Sequence, residues 1–188
     1  VVRATDSAGN ESLQPITVSV ADLDEINPSL SYSSPADNAT NVATTSDIVL
    51  NFSEAVDVES GSIVIYDSSS NSNGLPNLFE QIDISSSQVT GTGTNEITIN
   101  PGSNFLENTS YYVQIAATAF DDSSSNSYEG ISDKTTLSFV TADETAPTIS
   151  SFSPADNATA VATTSNIVLN FSEAVDVETG NIVIYKSS

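Results

Sequence analysis

The sequence predicts an all-β chain made of tandem Greek-key β-sandwiches, and two observations predict it. Apolar and polar residues alternate with a period of two along several short segments, which turn-rich stretches separate. Residues 28–67 and 147–186 repeat one another 119 positions apart, and 31 of the 40 aligned residues are identical. Alternation is typical of half-buried strands, and a long internal period indicates successive copies of one domain.

The one full unit, from about Ile26 to Thr145, is expected to contain seven strands. Apolar residues mark one face of each strand, as Ile48, Leu50 and Phe52 do in the second. Their order corresponds to strands A, B, C, an extra strand, E, F and G of an immunoglobulin-like sandwich. The predicted ranges, in that order, are 29–34, 46–53, 62–67, 79–85, 95–100, 110–118 and 135–141.

Tyr111 opens strand F on the face that Val113 and Ile115 also occupy. Its position shortly after residues 105–108 resembles the tyrosine corner of such sandwiches, in which the hydroxyl bonds to upstream backbone. The alternative is a core tyrosine whose hydroxyl lies at the rim of the sandwich.

Both ends of the sequence carry parts of further units. Val1–Ala4 resembles the end of an F strand, and Ile16–Val20 alternates like a G strand. Linkers are expected at 22–27 and 142–146, each followed by a proline that starts the next strand. Incomplete sandwiches expose strand edges, so either more chain or another molecule is expected to cover them. The predicted division is 1–25 for the last strands of a preceding repeat, 26–145 for a complete repeat and 146–188 for the first strands of the next.

The charge of the chain excludes two classes of partner. It carries 25 acidic residues against 3 basic ones, a formal net charge of −22. Nucleic acid is excluded because binding it requires basic residues that neutralise phosphates, and an anionic membrane surface would repel the chain. No stretch approaches the roughly 20 apolar residues of a spanning helix, so we expect no direct membrane insertion.

The composition also argues against an enzyme. Without His or Cys, the chain has no Ser–His pair, no catalytic thiolate and no His-bound zinc. Two carboxylates can hydrolyse a glycoside, but that reaction needs a cleft, and the chain has no Trp to stack a sugar. We therefore expect no catalytic residues.

Several motifs resemble known bacterial repeats. The pentapeptide FSEAV occurs at 52–56 and at 171–175, and the full unit closes with LSFVTAD at 137–143 and the linker DETAP at 143–147. These motifs resemble bacterial Ig-like domains of the S-layer type. The tail ITVSVADLDE at 16–25 resembles the end of cadherin-like or Ig-like repeats in large bacterial adhesins. The resemblance implies an extracellular surface role, often with calcium at the joints.

The candidate metal ligands are acidic residues that the topology gathers at one pole. In an immunoglobulin-like sandwich the B–C and F–G loops lie beside the incoming linker. Calcium takes about 6–8 oxygen ligands, and acids crowded there without a cation would repel. The alternative is a set of solvated loop acids that keep the protein soluble. The predicted ligands are Asp24, Glu25, Glu54, Asp57, Asp121 and Asp122, and in the next unit Asp143, Glu144, Glu173 and Asp176.

We expect a non-catalytic extender segment of a secreted or cell-surface bacterial repeat protein, with calcium stiffening its joints. Its partners would be neighbouring repeats of the same array, with homotypic assembly as a further expectation. One alternative is a subunit of a surface filament or lattice whose strands are completed in trans. Another is a module that binds a glycan or a protein, for which the insertion at 67–78 is the candidate surface; that insertion is otherwise a flexible surface loop.

Overall fold

The computed structural model describes residues 2–15, 17, 24–70, 72 and 74–185, and all regular structure in them is β. The chain divides into two compact units, Val1–Ala142 and Asp143–Ser188, each with its own sheets. The all-β prediction is confirmed, whereas the predicted boundaries after residues 25 and 145 stay predictions. Within the described residues, no helix has the length and apolar character needed to cross a membrane.

The first unit begins with a hairpin of strands β1 (Val2–Thr5) and β2 (Glu11–Gln14). Its turn is organised by Asp6, whose carboxylate accepts three hydrogen bonds of 2.9 Å from Ala8 and Asn10. The side-chain hydrogen bond from Asn10 and then the backbone bonds lower the pKa of Asp6. The strand predicted at 16–20 lies, apart from Thr17, outside the described residues.

The rest of the first unit is a sandwich of two sheets. In one sheet the spatial order is β4, β12, β10, β6, β7, and in the other it is β11, β5, β9, β8, with β3 also paired to β5. The A segment therefore contributes β3 to one sheet and β4 to the other, as Greek-key sandwiches allow. The strands are β3 (Leu30–Ser34), β4 (Ala39–Val42), β5 (Ile48–Val58), β6 (Ser62–Ser70), β7 (Pro76–Asp83), β8 (Val89–Thr90), β9 (Thr94–Ile99), β10 (Ser110–Ile115), β11 (Phe120–Asp121) and β12 (Ser138–Thr141).

Strand β5 is longer than predicted, and the extension carries acidic residues into the sheet. It continues to Val58 instead of ending at residue 53. Past a bulge, Val56 pairs with Thr94 of β9, and Val58 pairs with Phe120 of β11. The short strands β4, β8 and β11 are likewise absent from the prediction, because two to four residues are too few for alternation to be detected.

The insertion at 67–78 is largely a hairpin where a loop was expected. Strand β6 runs on to Ser70 and β7 begins at Pro76, with Asp67 opposite Asn77 in the ladder. The Asn77 side-chain amide also donates to the Ser69 hydroxyl at 2.8 Å. The β6 flank is polar, and Leu75 and Leu78 on the other flank are 61% and 58% exposed, so the backbone ladder forms without the buried apolar alternation that predicts strands.

The core lies between the two sheets and follows the predicted alternation. Along β5, Ile48, Leu50 and Phe52 are at most 2% exposed, and on the opposite sheet Tyr111 is fully buried. The backbone N–H of Leu106 donates a 2.9 Å hydrogen bond to the Tyr111 hydroxyl, so the tyrosine-corner interpretation is confirmed. Desolvation raises the pKa of Tyr111.

Replacing Tyr111 with phenylalanine is expected to destabilise the first unit by about 1 kcal/mol, because the Leu106 N–H loses its acceptor while the ring stays packed. Urea denaturation followed by circular dichroism measures the change. Tyr32→Phe is the matched control, since Tyr32 is 62% exposed and its replacement should change stability by less than about 0.5 kcal/mol. Equal effects of the two substitutions would contradict a structural role for the corner.

The second unit reproduces the local structure of the first over its opening strands. Strand β13 (Ile149–Ser153) pairs antiparallel with β14 (Val168–Phe171), as β3 pairs with β5. The reciprocal bonds between Ser29 and Ser53 recur between Thr148 and Ser172. A cis peptide bond precedes the proline in both copies, at Pro35 and Pro154.

The two copies differ where strand C should follow. The sequence IVIY forms part of β6 at 63–66, but the same sequence at 182–185 has no strand structure. In the first unit β6 lies between β10 and β7 and pairs with both. Identical residues therefore form a strand only where neighbouring strands are present to pair with them. This is expected because the propensity of a residue for strands depends on its context.

Candidate metal centre

The segment that enters the sandwich is fixed to the loop after β11 by a single amide. The Asn126 side chain donates 2.9 Å to the backbone oxygen of Asp24 and 2.7 Å to a carboxylate oxygen of Asp122. The Asp24 carboxylate in turn accepts a 3.0 Å bond from the Ile26 backbone N–H. Residues about 100 positions apart in the chain are thereby joined at one pole of the sandwich.

Three carboxylates converge beside this contact. Asp24, Glu54 and Asp122 each offer an oxygen, and these oxygens lie within 4.8 Å of one another. Asp24 is exposed, Glu54 is half-buried and Asp122 is only 6% exposed. Residues from the entering segment, from β5 and from the loop after β11 thus form one acidic group. In the described part of the chain, no other group of three potential metal ligands is this close.

The loop that carries Asp122 is held against the sandwich by backbone contacts. Ile131 and Ile115 exchange two hydrogen bonds of 2.9 Å. Gly130 has φ +75°, and a Cβ there would lie 2.5 Å from the Ile115 carbonyl oxygen, so a side chain is excluded at this contact. Tyr128 is buried against Phe52, with ring centroids 5.2 Å apart. The position of Asp122 is therefore set by the core of the domain.

The electrostatics of the three acids reflect their crowding. Desolvation, followed by the negative charges of Asp24 and Asp122, raises the pKa of Glu54. Desolvation also acts to raise the pKa of Asp122, but the bonds from Asn126 and Ser124 together outweigh it and leave that pKa below its usual value. The surroundings thus favour the charged form of Asp122 and disfavour that of Glu54, and a bound cation would relieve the cost at Glu54.

Replacing Glu54 with glutamine is expected to stabilise the metal-free protein at neutral pH. A raised pKa means that the folded state binds the Glu54 proton more tightly than the unfolded chain does. Stability in the wild type is therefore gained as pH falls through that pKa and lost as pH rises. The advantage of Glu54→Gln should narrow between pH 7 and about pH 4, as measured by urea denaturation in chelator.

A double-mutant cycle distinguishes this effect from a general loss of negative charge. In an Asp24→Asn background, Glu54→Gln should stabilise less, because the Asp24 charge is one cause of the raised Glu54 pKa. Additive effects, or an advantage for Glu54→Gln that does not change with pH, would contradict the electrostatic account.

Two other predicted ligands form a separate pair. Asp57 of β5 and Asp121 of β11 are direct cross-strand partners, an arrangement of like charges that is unfavourable. Asp57 is exposed and accepts a 3.3 Å bond from the Thr92 hydroxyl. The Oδ1 atom of Asp121 is buried without a hydrogen-bond partner among the described residues, which is a cost that a cation or a water would remove.

The remaining predicted ligands are not gathered in the described residues. Glu25 is exposed next to Asp24. In the second unit, Asp143 accepts a 3.1 Å bond from the Thr145 N–H, Glu144 is exposed, and Glu173 and Asp176 belong to no group of three close acids. The counterpart of the loop after β11 would have to supply the third acid, and no such loop occurs in residues 143–185.

The sequence interpretation missed Asn126, which joins the two sides of the site. It lies in the run Ser123–Ser127, whose polar composition is also that of an ordinary turn. Its contact to Asp24 spans 102 positions, so no local pattern contains it.

The donor set suits a hard cation in chemical type. Three carboxylates supply oxygen ligands of the kind calcium prefers, and backbone carbonyls or waters commonly complete such a shell. The chain contains no His or Cys, the usual zinc ligands, and its three basic residues are Arg3, Lys134 and Lys186. Arg3 makes a 3.1 Å ion pair with Glu11 in the hairpin.

Comparison with known proteins finds a matching family model and similar solved structures. A family model described as a bacterial Ig-like domain matches residues 24–141 and 143–188. CopC from Methylosinus trichosporium OB3b is 18% identical with a TM-score of 0.43, over 64% of this chain and 98% of that one. The S-layer protein rSbsC(31-844) is 10% identical with a TM-score of 0.37, over 66% of this chain and 15% of that one. No curated protein matches.

Proposed function

The chain belongs to the bacterial Ig-like domain family, and from this premise we propose that it is a non-catalytic extender segment of a bacterial surface protein, with calcium stiffening the joint ahead of the full sandwich. Its partners in this proposal are the neighbouring repeats of the same array, outside the cell. Domains of this kind are modules of bacterial surface proteins, which supports both a location at the cell surface and a structural role.

The convergence of Asp24, Glu54 and Asp122 is the observation that supports calcium. Asp24 belongs to the entering segment, whereas Glu54 and Asp122 belong to the sandwich. A divalent ion held by all three would fix the direction in which the chain enters. Asn126 already holds the backbone oxygen of Asp24 near the other two acids, so part of the conformational entropy of the segment is lost before the ion binds.

The charge of the whole chain supplies a second reason. A net charge of −22 on 188 residues disfavours compact packing of successive domains. Monovalent salt screens such repulsion only beyond a Debye length of about 8 Å, whereas the three carboxylates are within 4.8 Å. A bound divalent ion acts at that short range. Chelation would then loosen the joint and make the array flexible.

Limited proteolysis of the whole chain with a glutamate-specific protease tests the proposal. Glu25 is exposed beside the site, and Glu178 is exposed in the second unit and lies outside the acidic group. We expect calcium to slow cleavage at Glu25 by roughly tenfold or more relative to chelator, because ordering the segment limits the open form that the protease cuts. Cleavage at Glu178 should be unchanged.

The variants give the test its control. Asp122→Asn should abolish the protection of Glu25, whereas Asp47→Asn should not. Both substitutions remove one negative charge. The second copy of the repeat has Asn166 at the position equivalent to Asp47, so asparagine occurs naturally at that place in the repeat. Cleavage at Glu25 that is equally fast with calcium and with chelator, at matched ionic strength, would refute the stiffened joint.

A further inference from the structure

A groove runs along the edge of the full sandwich between β3 and the segment ahead of β12, and we propose that it binds an extended basic peptide of another protein as an added strand. The groove lies wholly within the first unit, between residues 30 and 136, and its volume is about 630 Å³. The proposal goes beyond the extender role, does not depend on calcium and concerns residues other than the three converging acids.

The groove exists because the A segment changes sheets. After β3 the chain crosses to the other sheet, where β4 pairs parallel with β12. Strand G was expected from residue 135, but β12 begins only at Ser138. Ahead of that residue, the described part of the chain has no strand pairing between β3 and the segment that leads into β12. The two sides therefore stay apart and leave the cavity between them.

Strand β3 presents a backbone edge to this cavity. Its residues 30–33 line the groove. Strand β5 pairs with β3 on one side and with β9 on the other, whereas β3 pairs with β5 alone among the described residues. The unpaired N–H and C=O groups of such an edge accept a further strand. An extended peptide is therefore the class of ligand that suits the backbone of this groove.

The side chains of the groove divide into apolar and acidic positions. Tyr128 is 4% exposed, and Leu30 is half-buried against the core. Asp37, Glu129 and Asp133 are exposed. Successive side chains of an added strand point alternately to opposite faces, so apolar residues of the peptide can contact the two buried side chains while basic residues contact the three acids.

Charge determines which kind of peptide binds. No basic residue lines the groove, and among the described residues none of its three acids forms an ion pair. Hydrogen bonds, first from the Thr136 side chain and then from Thr135, hold the pKa of Asp133 well below its usual value, so this acid is ionised at neutral pH. Tyr32, which is 62% exposed, also lines the groove and offers an aromatic ring to a cation.

The same charges indicate that the peptide comes from another protein. A strand that carries lysine or arginine complements the three acids, whereas an acidic strand is repelled. This chain has only Arg3, Lys134 and Lys186 as basic residues, and they are far apart in the sequence. A second copy of the chain therefore has no segment of the required chemistry.

Fluorescence anisotropy of labelled eight-residue peptides, titrated with the whole chain in chelator, tests the proposal. The first peptide alternates valine and lysine, and the second is the same peptide with every backbone nitrogen methylated. Methylation keeps the charge but removes the donors that pair with a strand edge. We expect saturable one-to-one binding of the first peptide, with a dissociation constant that rises with salt, and binding of the second that is at least about tenfold weaker.

Matched variants locate the binding site. Glu129→Gln should raise the dissociation constant of the valine–lysine peptide about threefold, because one exposed ion pair is lost. Glu96→Gln removes the same charge from β9, on the far side of β5 from β3, and should leave the constant within about 1.5-fold. Combining Glu129→Gln with Tyr32→Ala should raise it about tenfold. Near-ultraviolet circular dichroism verifies that each variant retains the fold.

Three results would each overturn the proposal. The first is the absence of saturable binding of the valine–lysine peptide. The second is equal binding of the methylated peptide, which would mean that the net charge of −22 attracts any cationic molecule. The third is an equal effect of Glu129→Gln and Glu96→Gln. Because the titration is made without calcium, none of these results bears on the stiffened joint.

Discussion

Replacing Phe52 with alanine is expected to lower the free energy of unfolding of the first unit by about 3–5 kcal/mol. The Phe52 side chain is 2% exposed, and its ring centroid lies 5.2 Å from those of Phe120 and Tyr128. Truncation removes the buried area and leaves a cavity that strands on both sides prevent from collapsing. The same change loosens Tyr128, and with it the loop that positions Asp122.

The repeat supplies the matched control at the equivalent position of the second unit. Phe171→Ala removes the same side chain from the same local sequence, but there the residue is 36% exposed. It should change the unfolding of the first unit by less than about 0.5 kcal/mol. Urea denaturation followed by tyrosine fluorescence measures both, since the chain has no Trp. Equal effects would contradict the burial of Phe52 in the core of the first unit as the cause of the loss.

The strand pattern was predictable wherever one face of a strand meets the core. Ile48, Leu50 and Phe52 alternate in the sequence and are buried in β5 as expected. The hairpin of β6 and β7 beyond Asp67 was not predictable, because its leucines, Leu75 and Leu78, are exposed and its strands are held by backbone pairing. The alternation of apolar and polar residues arises because one face of a strand is buried. A strand that buries no apolar side chain therefore cannot be detected from this alternation.

The second unit shows a further limit of the sequence. The segment IVIY is a strand at 63–66 and irregular at 182–185, although the letters are the same. The difference lies in the neighbours β10 and β7, which pair with β6 in the first unit. The strands that decide whether this segment becomes a strand are therefore not part of the segment's own sequence.

The candidate site was predictable in outline and not in detail. Topology correctly brought Asp24, Glu54 and Asp122 to one pole, because that inference needs only the strand order. It could not separate them from Asp57, which lies farther along β5 opposite Asp121. Glu54 and Asp57 are three residues apart on a strand with a bulge, and their side chains diverge. The alternation of apolar and polar residues does not reveal where the bulge lies.

Calcium is expected to produce the second large effect, on thermal stability. A site of micromolar affinity at millimolar calcium stabilises the folded state by about 4 kcal/mol through mass action. For a sandwich of this size that corresponds to a rise of very roughly 10–20 °C in the unfolding temperature. Magnesium should do much less, because it prefers a smaller, octahedral shell and retains its waters. Glu54→Gln should abolish the stabilisation by calcium and yet stabilise the metal-free protein. Screening of charge by salt alone cannot produce these two opposite effects of one substitution.

The most direct test of the stiffened joint is the unfolding temperature of the whole chain in calcium and in excess chelator, at matched ionic strength. The account predicts an increase of about 10–20 °C with calcium for the wild type and for Asp47→Asn, and none for Glu54→Gln or Asp122→Asn. An unfolding temperature that is the same with calcium and with chelator would contradict it. Asp24, Glu54 and Asp122 would then be solvated acids that keep a strongly charged surface in solution.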